Sequence, residues 1–303
     1  MKPKVSICIP VYKELKYLRK TLDSIKMQVY KDYEIILTDD TPDDSVKQLV
    51  EEYNFYGKLK YVKNKKRKGS PGNWNEAVKH ARGDYIKFLH HDDCLASEDS
   101  ISEYVKMLDN NPDANFGFSS AYRVLYKDIL TPSKKQIKRL NKDPMCLLFF
   151  NAVIGPPSLT IYRKNVKIYF DKKMKWYVDI DFYIRLLTQN KQFAFNSKPL
   201  VYVSGGSVGR VTEECQNSRE INLFEFFYLF KKFEAGNIAD YKYFKYIISK
   251  ILFKYRVTTE NEIIKLGVKP PLSRMIKQAI VVNKFLIRNR PFLKYARNWL
   301  HLS

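Results

Sequence analysis

Residues 85–95 read YIKFLHHDDCL. Tyr85 to Leu89 has the length and character of a buried strand, and it runs straight into His90, His91, Asp92 and Asp93. Two adjacent carboxylates at the carboxyl end of a strand are costly to bury, because like charges a few ångströms apart raise each other's pKa. They become useful if a divalent cation sits between them and a phosphorylated ligand, since such ions are typically held by one or two carboxylates plus substrate phosphates. An Asp-Asp pair on its own is more simply an acid-rich turn. The surrounding chain decides between the two readings.

Upstream, VSICIPV (5–11) is a short apolar run of the kind found in buried parallel strands. Leu15, Leu18, Leu22 and Ile25 recur at helical spacing, and that helix is expected to run to about Met27. YEIILTDD (33–40) is a second strand ending in two acids. A helix over 45–53, a strand over 59–62, a basic loop over 63–68 and a helix over 73–81, with Gly83 just past its end, complete the approach to Tyr85. Strands alternating with helices predict a parallel α/β sheet with right-handed crossovers. Ligands of such sheets bind beyond the carboxyl ends of the strands. Pro10-Val11-Tyr12, Asp39-Asp40 and His90 to Asp93 are thereby expected to face one crevice, which favours the functional reading of Asp92.

Downstream, a helix over 97–108 carries Glu98 and Asp99 in its first turn, where negative charge suits the helix dipole. Residues 116–124 read as a strand, and the polar, lysine-rich 128–143 reads as a mobile surface loop or excursion. Pro156-Pro157-Ser158 leads into a strand over 159–162. Asp179 and Asp181 open the amphipathic helix IDFYIRLL, and 193–203 is a last strand, interrupted near Pro199. Residues 204–218, with Gly205, Gly206 and Gly209, read as a flexible loop over the crevice. From Glu220 the pattern is helical and aromatic, with breaks at Pro270-Pro271 and Pro291.

A chain of 303 residues has no difficulty in burying a core. The uncharged stretch 145–162 holds Asn151, Gly155, Pro156 and Pro157 and cannot span a bilayer as a helix. No secretory leader is evident, so a cytoplasmic location is expected. Cys8, Cys94, Cys146 and Cys215 form no C-x-x-C pair, which argues against a zinc site or a disulfide framework. Net charge is +22, and residues 221–303 hold 16 Lys/Arg against 5 Asp/Glu, or +11, half of the excess. Such a basic tail suits an anionic partner: nucleic acid, acidic lipid or a phosphorylated substrate.

Four stretches together, VSICIPVYKELKYLRKTLDSI, YEIILTDDTPDDS, GSPGNWNEAVKHARGDYIKFLHHDD and WYVDIDFYIRLL, resemble family 2 glycosyltransferases of the GT-A fold. The resemblance covers about residues 3–210. It implies a Rossmann-like, mostly parallel sheet flanked by helices in a catalytic domain over 1–220; residues 221–303 do not match the family's motifs and read, from their composition, as a basic, aromatic helical extension. It also implies an inverting, metal-dependent enzyme that adds one sugar from a nucleotide-sugar donor, UDP- or dTDP-linked, to a glycan or lipid-linked acceptor in surface polysaccharide synthesis.

Position by position, the resemblance gives Pro10, Val11, Tyr12 and Glu14 the shaping of the nucleotide pocket. Asp39 would bond the base, with Asp40 nearby, and Asn75, His90 and His91 join the nucleotide-sugar contacts. Asp92 matches the last acid of the Asp-x-Asp signature and would ligate Mn2+ or Mg2+, supported by Asp93. Asp179 matches the catalytic base, with Asp181 as the second candidate. Spacing alone allows either aspartate to be a helix cap instead.

The sequence also departs from the family pattern. His90 replaces the first Asp of the signature and is a poorer partner for Mg2+ than for Mn2+. Val178 replaces an acid and Trp74 an arginine. A His that many relatives carry near Gly205 is absent, which leaves the ligand set open. No Q-x-x-R-W motif follows Gln216, which favours single addition over processive synthesis.

The aromatic segments 224–233 and 241–248, interleaved with lysines, fit either a peripheral contact with anionic membrane on its cytoplasmic face or a helical extension packed on the core. Two other classes compete with the enzyme: a non-catalytic relative that binds nucleotide or glycan, and a basic nucleic-acid-binding protein. The second is disfavoured because acids line the ligand edge and no nucleic-acid motif is present.

Overall fold

The structure, a computed structural model, describes residues 2–148, 153–205, 215, 218–235 and 241–289. They fall into two compact units, one within Met1–Arg210 and one within Val211–Ser303. The first unit is built on a nine-stranded sheet in the order β3-β2-β1-β4-β8-β6-β9-β5, with β7 paired to β6.

Four parallel strands make its first half: β1 (Val5–Val11), β2 (Tyr33–Asp39), β3 (Leu59–Lys63) and β4 (Tyr85–Phe88). All seven residues of β1 and of β2 are buried, as their continuous apolar runs require. Pro10 lies beyond the last β1–β4 pair, Cys8 with Phe88, where a missing N–H is tolerated. Helix α1 (Leu15–Lys26) buries Leu18, Leu22 and Ile25, each worth about 1.5–3 kcal/mol of apolar burial. Helices α2 (Ser45–Glu51) and α3 (Gly69–His80) complete the crossovers. Gly83 follows α3 because the chain passes tightly against β1 there: a Cβ would meet Ser6 N at 2.6 Å.

The second half of the sheet is mixed. β5 (Cys94–Leu95) runs antiparallel to β9 (Phe193–Val203), and β8 (Thr160–Arg163) runs antiparallel to both β4 and β6 (Phe116–Arg123). β9 is parallel to β6, and its register shifts around Pro199, as the proline suggested. Helix α4 (Ser100–Asp109) precedes β6.

Two expectations need correction. Residues 128–143 are not a loop: they form β7 (Asp128–Leu130) and helix α5 (Lys134–Lys142). The Ser133 hydroxyl accepts from the Gln136 amide while the Gln136 side chain returns to the Ser133 amide, a capping box hidden by the lysines around it. Helix α3 starts at Gly69 rather than Asn73, because Pro71 falls in the first turn, where its missing N–H costs nothing.

Helix α6 (Val178–Gln189) precedes β9. The second unit is helical: α7 (Arg219–Ala235), α8 (Tyr241–Lys254), α9 (Glu260–Ile264) and α10 (Arg274–Arg288). Phe226, Phe227, Phe230 and Phe233 of α7 are buried, so they are not a lipid-facing stripe. Asn283 of α10 donates to Leu252 O and Val257 O at 3.0 and 2.5 Å, tying α10 to the end of α8. Most of the proposed 204–218 loop lies outside the described residues.

Candidate active site

Parallel strands in register bring their carboxyl ends to one edge. Val11 pairs with Asp39, Asp39 pairs with Lys63, and the Leu89 amide donates to Cys8 O at 3.0 Å. His90, Asp92 and Asp93 emerge on that edge, each offering one ligand-capable atom, and the three atoms lie within 4.8 Å of one another.

His90 is held on several sides. Its amide donates to Ser158 Oγ at 2.9 Å, and its ring lies 4.9 Å, centroid to centroid, from Trp74 of α3. Nδ1 is 3.9 Å from Asp93 Oδ2, while Nε2 is buried with no hydrogen-bond partner among the described residues. Burial pulls the imidazole pKa down to about 4 against the pull of the Asp92 charge. The ring is therefore neutral near pH 7, the form that binds metals.

Asp93 is buried, and its Oδ1 accepts from the Ser204 amide at 3.2 Å. Burial first, then the Asp92 charge, push its carboxyl above the usual range, while Ser158 and Lys87 act the other way. Asp92 is less enclosed, with Ser204 Oγ 3.5 Å from its Oδ2.

Beneath them lies Lys87, a residue that sequence reasoning passed over. It is fully buried, donates to Phe88 O at 2.7 Å and to Ser158 O, and sits 4.3 Å from the Tyr104 ring centroid. Burial lowers its pKa and the Asp93 charge opposes the fall. Its signal was a lone lysine in the middle of a strand read as buried. A neutral imidazole with an orphaned nitrogen and two crowded carboxylates suit a divalent cation.

The other predicted residues divide. Tyr12 is half-buried beneath the Arg67 guanidinium, 4.1 Å from its ring centroid. Glu14 takes a left-handed conformation (φ 58°), and its carbonyl accepts from the Tyr17 and Leu18 amides to start α1. The Val11 carbonyl accepts from the Asp40 amide and from Asn73 Nδ2. Asp39 is fully buried, with Oδ1 on the Thr41 amide and Oδ2 shared by the Tyr61 hydroxyl (2.7 Å) and Lys63 Nζ (3.1 Å). Asp40 accepts from the Lys68 and Gly69 amides, at the start of α3, where a negative charge is favoured. The His91 carbonyl accepts from Thr21 Oγ1 at 2.9 Å.

Asn75, expected among the nucleotide-sugar contacts, is turned toward the segment before α6. It is buried, and both ends of its amide are bonded to the Phe170 backbone at 2.8 Å, which clasps the segment leading to α6. The two α6 acids differ as well. Asp181 is fully buried and paired with Arg185, whereas Asp179 is half-buried in the first turn.

The model of Glycosyl transferase family 2 matches residues 6–168, over half of the chain. An uncharacterized glycosyltransferase of Methanocaldococcus jannaschii is 30% identical over 201 residues, 63% of this chain and 67% of that protein. Several longer relatives are matched over less than a fifth of their own length. Among solved structures, S. aureus TarS in complex with UDP-GlcNAc is similar with a TM-score of 0.64 at 20% identity, over 97% of this chain and 87% of that one. A mannosyltransferase from Pyrobaculum calidifontis in complex with GDP-Man and Mn2+ is similar with a TM-score of 0.57 at 14% identity, over 99% and 85%. These likenesses show the GT-A fold.

Proposed function

The chain belongs to glycosyl transferase family 2, and from that footing we propose that it moves a single sugar, with inversion, from a UDP- or dTDP-linked donor to a hydroxyl of a glycan or lipid-linked acceptor. The observation that carries this reading is the His90–Asp92–Asp93 group at the carboxyl end of β4. UDP-GlcNAc in the TarS complex supports a uridine-type donor. A lipid-linked acceptor at a membrane surface is supported by the +11 charge of residues 221–303 and by the exposed Val281, Val282 and Phe285 on α10. Among the described residues no helix is long and apolar enough to cross a membrane.

In this mechanism Pro10 to Glu14 shape the nucleotide pocket. Asp39 receives the base, with the partly exposed Lys63 ammonium giving way to a base N–H. Asp92 and the neutral His90 ring would hold the divalent cation, and imidazole would favour Mn2+ over the harder Mg2+. When bound, that ion offsets charge on the diphosphate leaving group. Asp93 turns inward to the Ser204 amide and fixes the strand end that carries the site. Asp179 takes the proton of the acceptor hydroxyl, a contribution of about 10²–10⁴-fold in rate. One displacement inverts the anomeric centre, so a single base suffices.

The test is calorimetry against UDP-, dTDP- and GDP-sugars with and without Mn2+, on wild type and Asp92→Ala. Metal-dependent binding of one nucleotide class, lost in Asp92→Ala, is expected. Absence of binding to every donor in the presence of metal refutes the proposal. Binding with neither transfer nor hydrolysis reduces the protein to a non-catalytic relative.

A further inference from the structure

The edge that carries the metal group also carries an exposed apolar hairpin that the proposed chemistry does not use. β8 runs antiparallel to both β4 and β6, so β6 points the same way as β4, and its carboxyl end comes to the edge of His90, Asp92 and Asp93. There β6 turns through residues 124–127 into β7. The Val124 amide donates to Val203 O at 3.0 Å, and the next residue, Ser204, gives its amide to Asp93.

Polar bonds fix the turn, yet it presents apolar side chains to water. Arg123 donates from Nε to Asp128 Oδ1 at 2.7 Å across the mouth of the hairpin, and its guanidinium lies 4.6 Å from the Tyr126 ring centroid. Lys127 closes the turn in a left-handed conformation (φ 52°). Val124 (53%), Leu125 (58%), Tyr126 (65%) and Ile129 (50%) nonetheless stand open to solvent. Ile129 pairs with Tyr122, and Tyr122 pairs with Tyr202 of β9, their rings stacked at 4.8 Å. Directly opposed residues share a sheet face, so these three form one exposed row across three strands. Six of the fourteen exposed large apolar side chains among the described residues belong to this group, which is clustering rather than the ordinary scatter of single residues.

Charge identifies the occupant. Residues 127–142 hold six Lys/Arg against one Asp, or +5, and that acid, Asp128, is paired with Arg123. Lys127 stands in the turn, and α5 supplies the other five cations and no acid. A second copy docked face to face would bring the same positive charge against itself. An anionic bilayer offers an acyl layer for Val, Leu and Ile, a headgroup level at which Tyr is enriched, and a negative surface. Its attraction acts over about 8–10 Å, so the α5 cations need not touch the lipids that the tip enters.

We propose that the β6–β7 hairpin inserts its tip, residues 124–126 together with Ile129, into the interface of an anionic membrane, with Tyr122 and Tyr202 at headgroup level. The contact belongs to the catalytic unit; the exposed residues of α10 lie in the other unit and form no part of it. Its use rests on the lipid-linked acceptor proposed above, whose hydroxyl would be met at the level of the edge that bears Asp92. The contact itself is measured without donor or metal, so that either proposal can fail alone.

The experiment is co-sedimentation of the full chain, in EDTA, with vesicles of phosphatidylglycerol and phosphatidylcholine in equal parts and with vesicles of phosphatidylcholine alone. Wild type is expected to prefer the anionic vesicles and to bind them less tightly as salt rises. Leu125→Ser/Ile129→Thr alters two exposed side chains without changing charge. It is expected to keep the wild-type melting temperature and donor binding while losing about tenfold in vesicle affinity. Leu125→Trp is expected to add a blue-shifted emission on anionic vesicles that wild type lacks. Four results overturn the proposal: no vesicle binding by wild type, equal binding by wild type and the double variant, no added emission shift in Leu125→Trp, or a wild-type dimer in light scattering that the double variant splits. The second would assign the contact to charge or to α10, and the last would make the hairpin a contact between copies.

Discussion

Arg185 and Asp181 stand one helical turn apart on α6, and Arg185 donates from Nε and Nη2 to Asp181 Oδ2 at 2.9 and 2.7 Å. The Asp181 side chain is fully buried and the Arg185 side chain is 24% exposed. Arg185 also donates to Tyr169 O at 2.7 Å, so the pair pins the segment before α6 to the helix itself. Asp179, two residues earlier, has its Oδ1 on the Ile180 amide and faces a less enclosed environment.

These two aspartates are expected to fail differently. Asp181→Asn leaves the guanidinium without its buried partner and should cost about 3 kcal/mol, the low end for a broken buried pair because Arg185 is partly solvated. Asp179→Asn should leave the unfolding midpoint nearly unchanged and lower turnover by about 10²–10⁴-fold. Urea unfolding and transfer assays on both variants check this. A stable Asp181→Asn protein with no turnover would exchange the two roles.

Metal preference offers a second test. Asp92→Ala should weaken Mn2+ binding by more than about tenfold, since even supporting residues of metal sites are worth that much. His90→Asp restores an all-oxygen group and should narrow the gap between Mn2+ and Mg2+. Titration followed by the paramagnetic signal of free Mn2+, with Mg2+ as competitor, reads both effects without turnover. An unchanged Mn2+ to Mg2+ ratio in His90→Asp would remove the imidazole from the ligand set.

Glu34 gives a pH dependence far from the metal group. Burial disfavours its charge, but the Ser6 hydroxyl (2.7 Å), the Arg82 amide (2.6 Å) and the Arg82 guanidinium (2.9 Å) outweigh it and hold the carboxyl below its ordinary value. A folded pKa below the unfolded one means stability present above about pH 4.3 and lost as pH falls through the folded value. Glu34→Gln should be less stable than wild type by about 1–2 kcal/mol at pH 7. The difference should shrink toward zero as pH falls below about 4. Urea midpoints from pH 7 to pH 3 read the trend, and a constant gap would mean that the charge plays no part.

The amino-terminal half of the fold was legible because each strand is a short apolar run and each crossover has a 3.6-residue period. VSICIPV and YEIILTD became β1 and β2, and their acids arrived on one edge with His90 to Asp93 because parallel register leaves no other place for them. β5 was not legible: two residues, Cys94 and Leu95, carry no period, and only pairing with β9 makes them a strand. Helix α5 was hidden because the five Lys and Arg over 134–142 look like solvent-exposed chain until the Ser133–Gln136 box is noticed. In the site, the sequence singled out Asp39, Asp40 and Asn75, but not how far local donors occupy them. Tyr61, the Lys68 amide and the Phe170 backbone are far away in sequence or carry no side-chain signal. Lys87 went unread because a strand pattern weighs hydrophobicity, and one lysine in YIKFL does not break it.

Lys87 supplies the last prediction. Burial lowers its pKa to about 7 against the pull of the Asp93 charge, so it shares a proton with the acids above it, and its amine holds the Ser158 carbonyl while the Ser158 hydroxyl receives the His90 amide. Lys87→Met keeps the length of the side chain and removes both donors and the charge. Two buried carbonyls then lose the Lys87 donor, so the variant should lose about 1–3 kcal/mol in the absence of metal. A divalent cation should restore part of that loss, because it supplies positive charge to two carboxylates that have lost Lys87, and a ligand that binds the folded state stabilises it by mass action. The expected result is a larger rise in melting temperature on adding Mn2+ for Lys87→Met than for wild type. An equal or smaller rise would mean that Lys87 supports the strand alone and does not share its charge with the metal group.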